Sequence, residues 1–201
     1  MIILDENDNT VNINEIEKDE QDLASMYVNH DDIVFELGAR YGSVSVIVNK
    51  KLSDKKAHVV VEPDQRVWDA LEKNKKNNDC EFHIVKGFVS NKKFDLTNTS
   101  DCNGYGTTCF ESTTSVIPSY PFNNFNLPFN VLIADCEGFL EIFFDENPGL
   151  YSQLRLVIFE ADYPGKCNYE KIKTNLLQHG FEKLCEGHQN VFKKSCVILK
   201  K

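Results

Sequence analysis

Aliphatic runs and helix-period stretches alternate along this chain. IVFEL (33–37) reads as the first strong strand, and 43–51 follows with Val44, Ile47 and Val48 at helical spacing. AHVVVE (57–62) is a second strand, and 64–77 carries Val67, Trp68 and Leu71 on one helical side. EFHIVKG (81–87) is a third strand. VLIAD (131–135) and LRLVIFEAD (154–162) are two more, separated by a helical stretch at 138–146 with Phe139, Ile142 and Phe143 on one face. A last helix, 168–180, stops at a glycine. FEKLC (181–185) and CVILK (196–200) predict a closing hairpin, with Val191 and Phe192 assignable to its second strand. Ahead of all this, 15–28 places Ile16, Leu23 and Tyr27 at helical spacing, and 1–4 and 11–13 read as short strands.

Strands that alternate with helices and are aliphatic throughout belong to a parallel sheet covered on both faces. The terminal antiparallel hairpin closes that sheet. Segment 91–126 breaks the pattern: it is polar and aromatic, with one short strand expected near 113–117 and loop elsewhere. A loop that long in a compact domain is more often functional than idle.

Composition narrows the picture. The chain has 201 residues, 41% hydrophobic and 26% charged, which suits one soluble domain with a full core. Its net charge of −9 disfavours a grip on nucleic acid or anionic lipid, and no apolar run approaches the length of a membrane span. MIILDENDNT lacks the basic start and apolar core of a signal peptide. The seven cysteines are odd in number and none is spaced C-x-x-C, so a reducing, cytoplasmic setting is the expectation.

Candidate chemistry gathers at strand ends. In VFELGARYGSVSV (34–46) a strand runs through Glu36 into Gly38, then Gly42, at the start of a helix. Glycine lets a ligand approach the main chain. A dinucleotide fingerprint needs glycine at 38, 40 and 43; Arg40 and Ser43 break it, which counts against a nicotinamide-dependent oxidoreductase. A carboxylate at Glu36 suits the ammonium of an amino-acid-like ligand. Glu62 lies 24 residues after Gly38, before Pro63, at a spacing that suits a ribose diol.

With VVVEPDQRVWDALEKN (59–74), VLIADCEGFLEIFF (131–144) and VIFEADYPG (157–165), the loop resembles the FkbM-type branch of class I S-adenosylmethionine-dependent methyltransferases over about 33–180. The chain departs from that pattern in having Arg40-Tyr41 in the loop and no lysine near Ala134. The resemblance implies a Rossmann-like α/β fold. It implies that Gly38, Ala39, Arg40, Tyr41, Gly42 and Ser43 cradle the methionine part of the donor, Glu62 and Pro63 the ribose, and Gly87, Phe88, Val89 and Ser90 the adenine.

Asp135, Glu160 and Asp162 end neighbouring strands and are expected to share a crevice. Asp135 is the candidate general base for methyl transfer to oxygen, with Glu137 and Glu160 beside it. Asp135, Glu160 and Asp162 also form a hard-oxygen set for magnesium or manganese, as some sugar and catechol O-methyltransferases that this layout resembles would use. Glu137 reads equally as a helix N-terminal charge. Tyr105, Phe110, Tyr120, Phe122 and Phe125 form either an acceptor platform or the loop's own core. His179 reads as a helix-end residue, and His188 reaches the crevice only if its loop folds over. Cys136 reads as a buried free thiol.

The expectation is an O-methyltransferase acting on a sugar hydroxyl of a glycan or glycoconjugate. The first 30 residues would be a cap or a homodimer contact, and the chain could also be one domain of a larger glycan-modifying protein. The rival from another class is a non-catalytic cofactor-binding module.

Overall fold

A computed structural model describes residues 1–97 and 106–195. Its centre is a seven-stranded sheet. In chain order the strands are β1 (Val34–Leu37), β2 (His58–Glu62), β3 (His83–Lys86), β4 (Val131–Ala134), β5 (Leu156–Glu160), β6 (Phe181–Cys185) and β7 (Gln189–Lys194). Across the sheet they run β6-β7-β5-β4-β1-β2-β3. β1 to β5 pair in parallel, with Val34 opposite both His58 and Val131, while β7 lies antiparallel to β5 and β6. The strand order reverses between β1 and β4, so their C-terminal ends frame the crevice where ligands sit in such sheets.

The helices are α1 (Lys18–Tyr27), α2 (Ser43–Lys51), α3 (Trp68–Asn77), α4 (Leu140–Glu146), α5 (Leu150–Gln153) and α6 (Tyr169–Gln178). Because side chains alternate along a strand, each of β1, β4 and β5 feeds two cores. Phe35, Leu132 and Phe159 join Phe143 of α4 and Ile172 of α6 on one face. Val34, Ile133 and Ile158 join Ala24 of α1, Val28 just past its end, and Val44 and Val48 of α2 on the other. Leu71 of α3 packs with Val46, Val60 and Phe82 in a third cluster. Helices thus cover both faces.

Several local expectations change. The short strands expected at 1–4 and 11–13 reduce to a single antiparallel bridge, Leu4 with Thr10. Polar Asp5 to Asn9 form the turn between them, with Asp5 accepting from the Asn7 and Asn9 amides at 2.8 Å each. The stretch near 113–117 is a turn, and its neighbours form the strands: Phe94–Leu96 pairs with Cys109–Glu111, and Phe88–Val89 with Ser119–Tyr120. The second hairpin strand is Gln189–Lys194, and the expected 196–200 lies outside the described residues. α3 begins only at Trp68, after Asp64 has turned its carboxylate back onto the Arg66 amide at 3.0 Å. Phe122 and Phe125 are core rather than platform, with ring centroids 5.1 and 5.6 Å from Phe35. Phe110 and Tyr120 stay partly exposed, and Tyr105 lies outside the described residues.

Candidate active site

The crevice at the ends of β1, β2 and β4 holds a partly open cavity of about 90 Å3. Its walls include Gly38, Arg40, Glu62, Pro63, Phe88 and Asp135. Gly38 is the tightest point. It has φ +81°, and a Cβ there would lie 1.5 Å from the main-chain oxygen of Asp135. Only glycine lets the β1 loop cross the end of β4 so closely. Arg40 also takes a left-handed φ of 44°, which aims its amide at Glu62.

Glu62 is 5% exposed, and its two carboxylate oxygens accept from the Arg40 amide at 2.6 Å and the Asp64 amide at 2.7 Å. Burial outweighs those bonds and lifts its carboxyl to about 7. Each oxygen keeps a second lone pair for a ligand hydroxyl. Phe88 and Val89 line the apolar side, although Phe88 also packs on Phe94 and Phe139 at 5.5 and 5.6 Å. Gly87 stands behind them, backed onto Pro118, and Ser90 turns away to Glu146 at 2.8 Å.

Beside this cavity opens a cleft of about 520 Å3, and the two share Glu17, Asp135 and Glu137 as walls. Its lining also includes Glu20, Glu160, Asp162 and His188. Asp135 is held well above the usual carboxylate range by burial, then by Glu20, Glu160, Glu17 and Glu137. Glu137 is pushed up to about 8, chiefly by burial and its hydrogen bond with Asp162. It faces the cleft, where it accepts from the Gly106 amide at 3.1 Å, and the acid of the first turn of α4 is Glu141. His188 folds over after all and pairs with Glu160. Asp162 accepts from the Tyr169 hydroxyl at 3.0 Å.

Other residues take different places. Glu36 is buried against His58 Nε2 at 2.9 Å and Ser45 Oγ at 2.5 Å, under α2 and outside the cavity lining. Ala39 and Tyr41 pack in the α3-side core, and Tyr41 donates to Glu6. Gly42 meets Leu71, and Ser43 donates to Glu17. His179 caps α6 and stacks on Tyr151 at 5.3 Å. The cysteines among the described residues are free, and burial raises the Cys136 thiol well above its ordinary value, against a nucleophilic role.

Glu17 and Glu20 are additions that sequence reading missed. Glu17 takes φ +48° and enters the cavity wall; burial lifts its carboxyl to about 7. Glu20 has a visible signal: it sits four and eight residues before Ala24 and Val28, on the apolar face of α1. Possible metal ligands regroup as well. Oxygens of Glu20, Asp135 and Glu160, and of Asp135, Glu137 and Asp162, lie within 4.8 Å of one another; the expected trio Asp135, Glu160 and Asp162 is divided between these sets.

No family model and no curated protein matches the chain. Solved structures do. A precorrin-6y C5,15-methyltransferase from Geobacter metallireducens aligns with TM-score 0.56 at 13% identity, over 88% of this chain and 89% of its own. An rRNA methylase from Streptococcus thermophilus aligns with TM-score 0.53 at 7% identity, over 92% and 100%. A putative tRNA (m1A22) methyltransferase from Streptococcus pneumoniae, in complex with S-adenosyl-L-methionine, aligns with TM-score 0.50 at 11% identity, over 88% and 72%. The fold is therefore that of the Rossmann-like class I S-adenosylmethionine-dependent methyltransferases. Among the described residues no helix is long and apolar enough to cross a membrane.

Proposed function

We propose that the chain is an S-adenosylmethionine-dependent methyltransferase of the FkbM type that methylates oxygen, with a sugar hydroxyl of a glycan or glycoconjugate as acceptor. The observation that carries this is the join of Gly38 to the Asp135 main chain, with Glu62 across the same cavity. It sets a bare loop, a ribose-type carboxylate and a candidate base around one hollow. The donor would supply an electrophilic methyl on a sulfonium.

The residues present fit that donor in kind. The Gly38–Gly42 loop offers main chain, Glu62 offers lone pairs to a diol, and Val61, Pro63, Phe88 and Val89 offer apolar surface to a purine. The cavity of about 90 Å3 is smaller than the ~300 Å3 of a typical ligand pocket, so its walls must part on binding. Glu17, seated on Ser43 at the start of α2, is the wall to move: it occupies a helix N-terminus that would favour the donor's carboxylate. Residues 1–30 act as a cap in this reading.

Asp135 receives the acceptor hydroxyl proton while the oxygen bonds to the methyl carbon and the carbon–sulfur bond electrons pass to sulfur. A carboxyl raised by burial and like charges is a stronger base than a solvated one. Glu160 hydrogen-bonds Asp135 and orients it, and Glu137 acts on it as a neighbouring like charge.

Calorimetry with S-adenosylhomocysteine and with NAD tests the donor, and transfer of labelled methyl to a panel of sugars tests the reaction. S-adenosylhomocysteine binding alone is expected, followed by transfer. Binding without transfer to any acceptor would favour a non-catalytic module, and NAD binding an oxidoreductase.

A further inference from the structure

The cleft carries more negative charge than a sulfonium donor explains. Glu20, Glu160 and Asp162 line the cleft and not the donor cavity, as do Glu15 and Asp19. The bases on the same lining are Lys18, which pairs with Asp22, and His188, which pairs with Glu160.

A group of acids alone signifies little on a protein surface. Glu20 is different. It is 3% exposed, it faces the cleft, and no hydrogen bond or cation among the described residues reaches its carboxyl. Besides burial, the groups that act on it are Glu17, Glu36, Glu160 and Asp135, all acids. A buried carboxyl with no partner costs stability unless something arrives to pair with it. The oxygens of Glu20, Asp135 and Glu160 lie within 4.8 Å of one another, so one positively charged group can meet all three.

We propose that the acceptor bears an ammonium group, as an amino sugar does, and that this nitrogen docks between Glu20, Asp135 and Glu160. The proposal rests on the methyltransferase reading for the word acceptor, but not for the binding itself. An ammonium has three N–H donors, one for each carboxylate. The cleft of about 520 Å3 has room for a sugar-sized molecule rather than for an ion alone. His188 already holds Glu160, which favours a ligand that shares that carboxylate through hydrogen bonds over one that must displace the imidazole. With the nitrogen held there, a neighbouring hydroxyl lies beside Asp135, the wall common to both hollows.

The test is a ligand-observed NMR titration of the full chain with D-glucosamine, N-acetylglucosamine and glucose, each with and without S-adenosylhomocysteine, and again with added magnesium chloride. Glucosamine is expected to bind at least about tenfold tighter than the two neutral sugars. Glu20→Gln is expected to reduce that preference to less than about threefold. Equal binding of the three sugars, or binding of none, overturns the proposal; so does a response to magnesium alone, which would assign the carboxylates to a metal ion. The sugar comparison on the unaltered chain stands even if the variant fails to fold. Amine preference without S-adenosylhomocysteine binding would overturn the methyltransferase reading and leave this one standing. Donor binding without amine preference would do the reverse.

Discussion

The main-chain amide of Arg40 donates to Glu62 Oε2 at 2.6 Å. That bond ties the loop after β1 to the end of β2, and it uses a left-handed backbone at a residue that is not glycine. A conformation of that kind costs about 1 kcal/mol or more and persists where the surroundings impose it. Glu62→Gln keeps one acceptor oxygen but not the charge. Affinity for S-adenosylhomocysteine is expected to fall about tenfold or more by calorimetry, the loss of one charge-assisted pair of hydrogen bonds.

The raised carboxyl of Glu62, about 7, has two pH consequences. Ribose hydroxyls donate to the charged form, so donor affinity should rise between about pH 6 and pH 8 and level off, a rise absent in Glu62→Gln. Stability runs the other way. A folded-state value above the ordinary 4.5 of a glutamate means the folded chain holds its proton longer, so this contribution is complete below about 4.5 and is lost as pH rises through 7. Melting of the ligand-free protein should be higher at pH 6 than at pH 8, with a smaller difference in the variant.

Gly38→Ala places a methyl 1.5 Å from the Asp135 carbonyl oxygen. Main chain must move, and the alanine must also hold φ +81°. A loss of about 3 kcal/mol is expected in urea unfolding, with donor binding lost as well. Wild-type stability in that variant would show that the crossing is not tight.

Asp135→Asn removes the base and keeps the shape. Turnover should drop by about 100-fold or more while S-adenosylhomocysteine affinity changes little. An unchanged kcat would remove Asp135 from the proton transfer.

Glu36 and His58 form a buried pair under α2, with side-chain exposures of 3% and 0%. His58→Leu strands Glu36 on Ser45 alone, at a cost of about 3 kcal/mol in urea unfolding. Donor affinity in the folded protein should stay within about threefold, because Glu36 is outside the cavity lining.

The contrast between Glu36 and Glu62 shows what a single sequence makes legible. Both precede a turn and both are acids near a strand end, so they read alike. On the folded sheet Glu62 is the last residue of β2, whereas Glu36 sits one residue inside β1 and shares a face with Val34, toward α2. His58, at the start of the neighbouring strand, then meets it diagonally through the register that sets Val34 opposite His58. Pairing register is a long-range property, and one strand's residues do not state it.

The alternation of β1 to β5 with α2, α3, α4 and α6 was legible because aliphatic runs and helical periods are local. β7 was less so: Gln189, Asn190, Lys193 and Lys194 dilute Val191 and Phe192, and the more aliphatic 196–200 drew the assignment. Glu20 enters the site from a helix that precedes the whole sheet and Glu17 from the residue before it, a placement decided by tertiary packing of Ala24 and Val28.

The meeting of Gly38 with the Asp135 carbonyl is made of backbone on both sides. Replacing the side chain at 135 would leave that weld intact. In the proposed reading the acids at the tips of β4 and β5 can therefore change, and the acceptor with them, while the crossing that shapes the Gly38 side of the cavity stays as it is.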